Sequence, residues 1–178
     1  VDADEERCAA AAALGAEVTV VTPRMEGGAV REELPGLTIH RVDPPVLAED
    51  LLIRVQQANL LLDSTAQALI DADGPFDVIH AHDWQAALVP AYLRWLGDGR
   101  PRPATLLTLH NLAFQGQFPA AVLDRIGLPR AAFASHGLEY FGDVGYLKAG
   151  ILLADAITTV SPTYATEIRG RAGGMGMD

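Results

Sequence analysis

The run ATLLTLHNLAFQGQFPA, Ala104 to Ala120, limits the architectures open to this chain more than any other stretch. Its first six residues are an apolar, β-branched-containing run, the pattern of a strand covered on both faces in a parallel sheet. Polarity then arrives abruptly at His110 and Asn111. Such a strand would leave the sheet there at its carboxyl end, the edge at which open α/β folds hold their ligands. Gln115, Gly116 and Gln117 extend a loop rich in amide donors and acceptors, and the glycine admits close backbone approach. The loop is expected to face a polyol.

The rest of the chain alternates strand and helix around that run. Ala16 to Thr22, Leu37 to Val42, Phe76 to Ala81 and Ala156 to Val160 read as strands. A first helix is expected from a cap at Asp2 or Asp4 through the alanines to Leu14, with Gly15 as its stop. A long amphipathic helix is expected over Glu49 to Ala72, from the near-helical spacing of Leu52, Val55, Leu60, Leu62, Ala66, Leu69 and Ile70. Trp84 to Leu96 should be a helix capped by Asp83 and kinked at Pro90, and Asp143 to Ala154 another. Ser161 and Pro162 should start a last helix ending near Arg169. Met25 to Gly36 reads as a connection, the stretch after Leu109 as loop-rich as far as Phe141, and Gly173 to Gly176 as a linker.

This alternation predicts an α/β protein: a Rossmann-like, doubly wound parallel sheet with helices on both sides. The length of 178 residues fits one domain, residues 1–178. Such a unit normally has a strand ahead of its first helix. None is present, the first residue is Val1, and the chain stops abruptly after Gly-Gly-Met-Gly-Met-Asp, so a domain truncated at both ends is expected.

Charge and composition exclude several classes. The net charge of −10, from 13 basic and 23 acidic residues, argues against a nucleic-acid or anionic-membrane surface. No apolar run approaches the ~20 residues of a membrane-spanning helix. Cys8 is the sole cysteine, which precludes an internal disulfide and makes the cytoplasm the expected compartment.

Three strand ends should lie on one edge of a parallel sheet: Thr22-Pro23-Arg24, His82-Asp83-Trp84 and His110-Asn111. Asp83 and His110 can therefore share a crevice, whether or not Asp83 also caps a helix. His80 and His82, with Asp83, His110 or His136, lack the spacing of a structural zinc motif, and hydrogen-bonded strand histidines are the plainer reading. No metal site is expected. His110 as the base of a serine hydrolase lacks a Gly-x-Ser-x-Gly elbow, since Ser161 is better explained as a cap. A dinucleotide fingerprint is missing at the first strand-to-helix turn. Lys148 is either a snorkelling lysine beside an apolar helix face or a ligand group. Trp84 lies beside the proposed crevice, where an aromatic face can stack on a sugar ring.

Phe76 to Trp95 (FDVIHAHDWQAALVPAYLRW), Thr108 to Ala120 (TLHNLAFQGQFPA) and His136 to Ile168 (HGLEYFGDVGYLKAGILLADAITTVSPTYATEI) resemble consecutive blocks of bacterial glycogen/starch synthases. Ala13 to Arg24 is weakly similar to the early strand of that family. The resemblance implies the N-terminal, acceptor-side half of a GT-B glycosyltransferase, with the C-terminal nucleotide-sugar domain lying beyond this chain and the fragment inactive alone. It implies a retaining glucosyltransferase that extends an α-1,4-glucan, glycogen or a maltooligosaccharide, from ADP-glucose without a metal or other cofactor. His110 would contact the donor sugar, with its main-chain carbonyl near the anomeric carbon. Asp83 and Asn111 would position sugar hydroxyls, and Trp84 and Gln115 would line the site. The alternatives are a stand-alone carbohydrate-binding or inactive relative and a related GT-B transferase with a small acceptor.

Overall fold

The computed structural model describes residues 10, 12–23, 31–42, 76–97 and 101–178, in two compact units, Val1–Ala66 and Gln67–Asp178. In the first, the helical turn through Ala12 and Ala13 stops at Gly15 (φ +92°), whose N–H donates to Ala12 O, as the sequence predicts. Strand β1 (Val18–Pro23) pairs in parallel with β3 (Leu37–Val42).

Strand β2 (Arg31–Leu34) was not anticipated; it falls inside the expected connection and pairs antiparallel with β3. Its charged residues hide it from a hydrophobic pattern. The signal was the turn, because Leu34 pairs with Leu37 across Pro35 and Gly36, and Gly36 has a φ of +70°. Proline followed by a glycine of positive φ is the residue pattern of a type II turn. The expected cap at Asp2 or Asp4 and the expected helix over Glu49 to Ala72 lie outside the described residues.

The second unit is built on a parallel sheet of β4 (Val78–His82), β5 (Ala104–Leu109) and β9 (Ala156–Thr159), with β5 in the middle. Thr105, Leu107, Thr108 and Leu109 are all buried, so both faces of β5 are covered along most of its length. The sheet register sets His82 beside Thr108 and Leu109 beside Thr159. The carboxyl ends of β4 and β5 therefore lie together.

Between β4 and β5 the chain forms two helices, α1 (Asp83–Ala86) and α2 (Val89–Trp95), in place of one kinked helix. Pro90 has no N–H to give to a carbonyl four residues back, so it sits in the first turn of α2 and the helix restarts there. Two short segments of 3-10 helix, Ala120–Asp124 and Arg130–Ala132, occupy the stretch read as loop. The same region carries a small antiparallel sheet, β6 (Gln117–Phe118), β7 (Glu139–Tyr140) and β8 (Asp143–Gly145), with β8 central.

Because Asp143 to Gly145 pair in β8, helix α3 (Tyr146–Leu153) starts three residues later than expected. It packs on α1 and α2 across small residues; Ala87, Ala91 and Ala149 are fully buried. A Cβ on Gly150 would stand 2.8 Å from that of Ala87, so the glycine permits the close approach. Helix α4 (Pro162–Glu167) is capped by Ser161, whose Oγ accepts from Tyr164 N at 3.0 Å, as read from the sequence.

Candidate active site

The end of β4 and the end of β5 meet at Asp83. Its Oδ1 accepts the backbone N–H of His110 at 2.7 Å and that of Asn111 at 3.3 Å. Asp83 does not cap the helix it begins: His82 occupies the cap position and makes no side-chain cap bond. The Asp83 carboxylate holds the turn of the neighbouring strand instead. Its φ of +53° explains the reach. A continued strand would send the side chains of His82 and Asp83 to opposite faces, whereas the left-handed conformation breaks that alternation and lets both engage the same turn. Aspartate is among the residues that tolerate this region best.

His110 is half-buried, and its ring meets His82, with Nε2 of His110 3.0 Å from Nδ1 of His82. His82 in turn lies against His80, ring centroids 4.3 Å apart, and His80 Nε2 is 2.6 Å from Thr108 Oγ1. Hydrogen bonding thus engages nitrogens of all three histidines weighed as metal ligands at the strand ends. His136 is exposed, and among the described residues no group of three or more His, Cys, Asp or Glu is placed to hold a metal.

Asn111 is exposed, and its Oδ1 accepts from Ala113 N at 3.0 Å, closing the turn. Leu112 N donates to Tyr164 OH at 2.8 Å, which ties the loop to α4. Farther along, Gln115 O and Gly116 O accept from Leu147 N and Tyr146 N. Those are amide groups of the first turn of α3, which has no preceding carbonyls to satisfy them.

Trp84 is placed differently from an open stacking platform. It is 9% exposed, its ring 5.7 Å from that of Phe118 and 6.5 Å from that of Tyr146. Gly116 (φ +60°) lies directly on it: a Cβ there would fall 2.5 Å from Trp84 Cε3. The indole supports the loop from beneath.

Gln115 is half-buried, and its Nε2 donates to Met175 O at 3.1 Å. The Gly173 to Gly176 stretch is therefore no linker; Gly174 is buried, and Gly176 O accepts from Tyr140 OH. Glycines that read as flexible in sequence here permit tight turning, with Gly176 at φ +87°. Lys148 reaches back over the loop that precedes β7. Its ammonium donates to Ser135 O and Gly137 O, and burial lowers its pKa from the usual lysine value. The third strand end, at Thr22 and Pro23, belongs to the first unit, and Arg24 lies outside the described residues.

The site is a loop whose backbone is held by side chains from α1 and α4 and whose His110 ring is met by His82 of β4, leaving His110, Asn111 and Gln115 at least partly open to solvent. Sequence reasoning missed the His82–His110 contact and the Tyr164 tie. The first depends on the register of β4 against β5, which pairs His82 with Thr108, two residues before His110.

A family model described as the starch synthase catalytic domain matches residues 6–178. The glycogen synthase of Rhodopseudomonas palustris is 63% identical over 102 residues, 57% of this chain and 21% of that protein. Glycogen synthase 2 of Bradyrhizobium diazoefficiens is 48% identical over 143 residues, 80% of this chain and 28% of its own length. These matches thus span between about a fifth and somewhat over a quarter of the curated relatives. The solved catalytic domain of starch synthase IV from Arabidopsis thaliana, bound to ADP and acarbose, superposes with a TM-score of 0.79 at 22% identity, covering 96% of this chain and 43% of that one. The fold is accordingly the Rossmann-like α/β fold of GT-B glycosyltransferases. A family match over nearly the whole chain, on top of a shared fold, makes the chain a member of the starch synthase catalytic-domain family.

Proposed function

We propose that this chain supplies the acceptor-side, N-terminal part of a retaining glucosyltransferase that extends an α-1,4-glucan from ADP-glucose. The nucleotide-sugar half is assigned to sequence beyond residue 178, and the 178 residues alone are expected to be inactive. The observation that carries the reading is the grip of Asp83 on the backbone of His110 and Asn111 at the shared strand end. A glucosyl transfer develops positive charge at the anomeric carbon, and dipoles fixed in advance stabilise that charge without reorganising during the reaction. In this reading the His110 carbonyl is such a dipole, its imidazole contacts the donor sugar, and Asp83, Asn111 and Gln115 face sugar hydroxyls. Trp84 acts from below, by holding the loop. The names of the relatives, glycogen synthases and a starch synthase bound to ADP and acarbose, favour an adenine-nucleotide sugar and an α-glucan as substrates. A cytoplasmic location belongs to the same proposal.

The test is glucose incorporation into glycogen from ADP-glucose by the full-length protein of the same reading frame. Incorporation is expected, and His110→Ala should abolish it while leaving the circular dichroism and melting profile unchanged. Failure with ADP-glucose alongside transfer from another sugar nucleotide overturns the donor. Near-normal turnover of His110→Ala overturns the role of that residue.

A further inference from the structure

We propose that His82 is a positioning residue for His110, setting the orientation and tautomer of its imidazole. The inference deepens the glucosyltransferase reading and rests on it for its kinetic arm. Its basis is the 3.0 Å approach of His82 Nδ1 to His110 Nε2, with ring centroids 5.3 Å apart and planes inclined by 38°. A contact of that length between two ring nitrogens needs one N–H and one lone pair. Whichever ring donates, the proton position on His110 is tied to that on His82, because binding at one imidazole nitrogen fixes the role left to the other.

His82 is itself held. It ends β4 opposite the buried Thr108, and its ring leans on His80, which hydrogen-bonds Thr108 Oγ1. Residues of two adjacent strands thus build a chain of contacts that ends at the His110 ring. The main chain of the same residue is held independently through Asp83, the next residue after His82. Consecutive residues of β4 and α1 therefore fix His110 twice, once at the backbone and once at the ring. A purely structural histidine would have no reason to meet the one ring the chemistry needs, while its neighbour holds that ring's backbone.

Asparagine carries an amide nitrogen close to the place of histidine Nδ1, the atom His82 uses, whereas alanine removes the contact. In the full-length protein, His82→Ala should lower kcat by about 10- to 100-fold, the usual effect of losing a group that orients a functional histidine. KM for ADP-glucose should move by less than about threefold, as expected when the loss falls on the transition state. His82→Asn should recover most of the lost kcat. A second arm is independent of turnover: with 15N-labelled histidine, the His110 ring nitrogen shifts should move in His82→Ala and return toward wild type in His82→Asn. Unmoved His110 ring signals in a folded His82→Ala protein overturn the inference, as does wild-type kcat. Equal damage from Ala and Asn also overturns it, since a lost fold and a lost ring volume would not discriminate the two. If the wild type transfers no glucose from ADP-glucose, the functional reading fails, and the nitrogen spectra still decide the positioning role.

Discussion

Replacing Asp83 separates the two reasons that residue occupies its place. The carboxylate accepts the His110 N–H at 2.7 Å and the Asn111 N–H at 3.3 Å, and the backbone is left-handed at φ +53°. A hydrogen bond to a charged acceptor contributes about 1.5–3 kcal/mol, and the longer second bond adds less. Left-handed backbone costs a residue with an ordinary Cβ roughly 1–2 kcal/mol, less for Asp and Asn and nothing for Gly. Asp83→Asn keeps an acceptor oxygen and the tolerance of positive φ, so about 1 kcal/mol should be lost. Asp83→Gly loses the acceptor and relieves the strain, for about 2 kcal/mol, while Asp83→Ala suffers both, for about 3 kcal/mol. Amide hydrogen exchange at His110 reads this locally, without requiring two-state unfolding of a larger protein. At 1.4 kcal/mol per tenfold, exchange should quicken roughly 5-fold, 30-fold and 150-fold for Asn, Gly and Ala. A glycine variant that exchanges faster than the alanine variant would refute the strain argument. Unchanged exchange in Asp83→Ala would refute the hydrogen bond.

Three further substitutions follow from the packing and from one charge pair. Gly116→Ala drives a Cβ to 2.5 Å from the buried Trp84 ring at φ +60° and should destabilise by about 3 kcal/mol, whereas Gly127→Ala, at φ +70° with nothing within 4 Å, should lose about 1 kcal/mol. Equal shifts in denaturation midpoint for the two would remove the Trp84 clash as the cause. Asp155 accepts two bonds from Arg102 (2.6 and 2.7 Å) and two from Thr105 (2.8 and 2.9 Å), which hold its carboxyl well below the usual range. Stability from a depressed carboxylate is present above its unfolded pKa, near 4, and is lost as pH falls through the folded value. Asp155→Asn should therefore be less stable than wild type at neutral pH, and the gap should narrow on acidification below about pH 4. Both side chains of the pair are over 40% exposed, so added salt should shrink the gap as well. A gap that widens in acid would contradict the pairing.

The parts of the fold that could be read from sequence are those where one physical demand acts over several residues. Strand β5 announced itself because burial on both faces suppresses charged residues along its length, and the break at His110 marked the edge. The small sheet of β6, β7 and β8 stayed hidden because strands of two or three residues offer no period to detect. Asp83 reads as a helix cap from its place in the sequence, but its carboxylate accepts instead from amide groups after a neighbouring strand, 27 residues later. Trp84 invited a stacking role because its place beside His82 and Asp83 says nothing of what lies over the ring, and Gly116 supplies that cover from another segment. The histidine contact required a register between strands, information that arises only on folding.

The loop from His110 to Gly116 has almost no regular structure, yet its amide and carbonyl groups are widely engaged: by Asp83 at its start, by Tyr164 at Leu112, by Asn111 within the turn, and by the first turn of α3 at its end. Buried or half-buried backbone groups must be satisfied somewhere, and here side chains and a helix terminus from elements remote in sequence do it. Such a loop has little freedom to adapt when one support is removed; it shifts as a unit, and misplacement of about 1 Å at a reacting centre can cost two orders of magnitude in rate. Trp84, Gly116 and Tyr164 are therefore as much a part of this loop's scaffold as Asp83 is. The shape of the loop depends on them as fully as on the residues it presents.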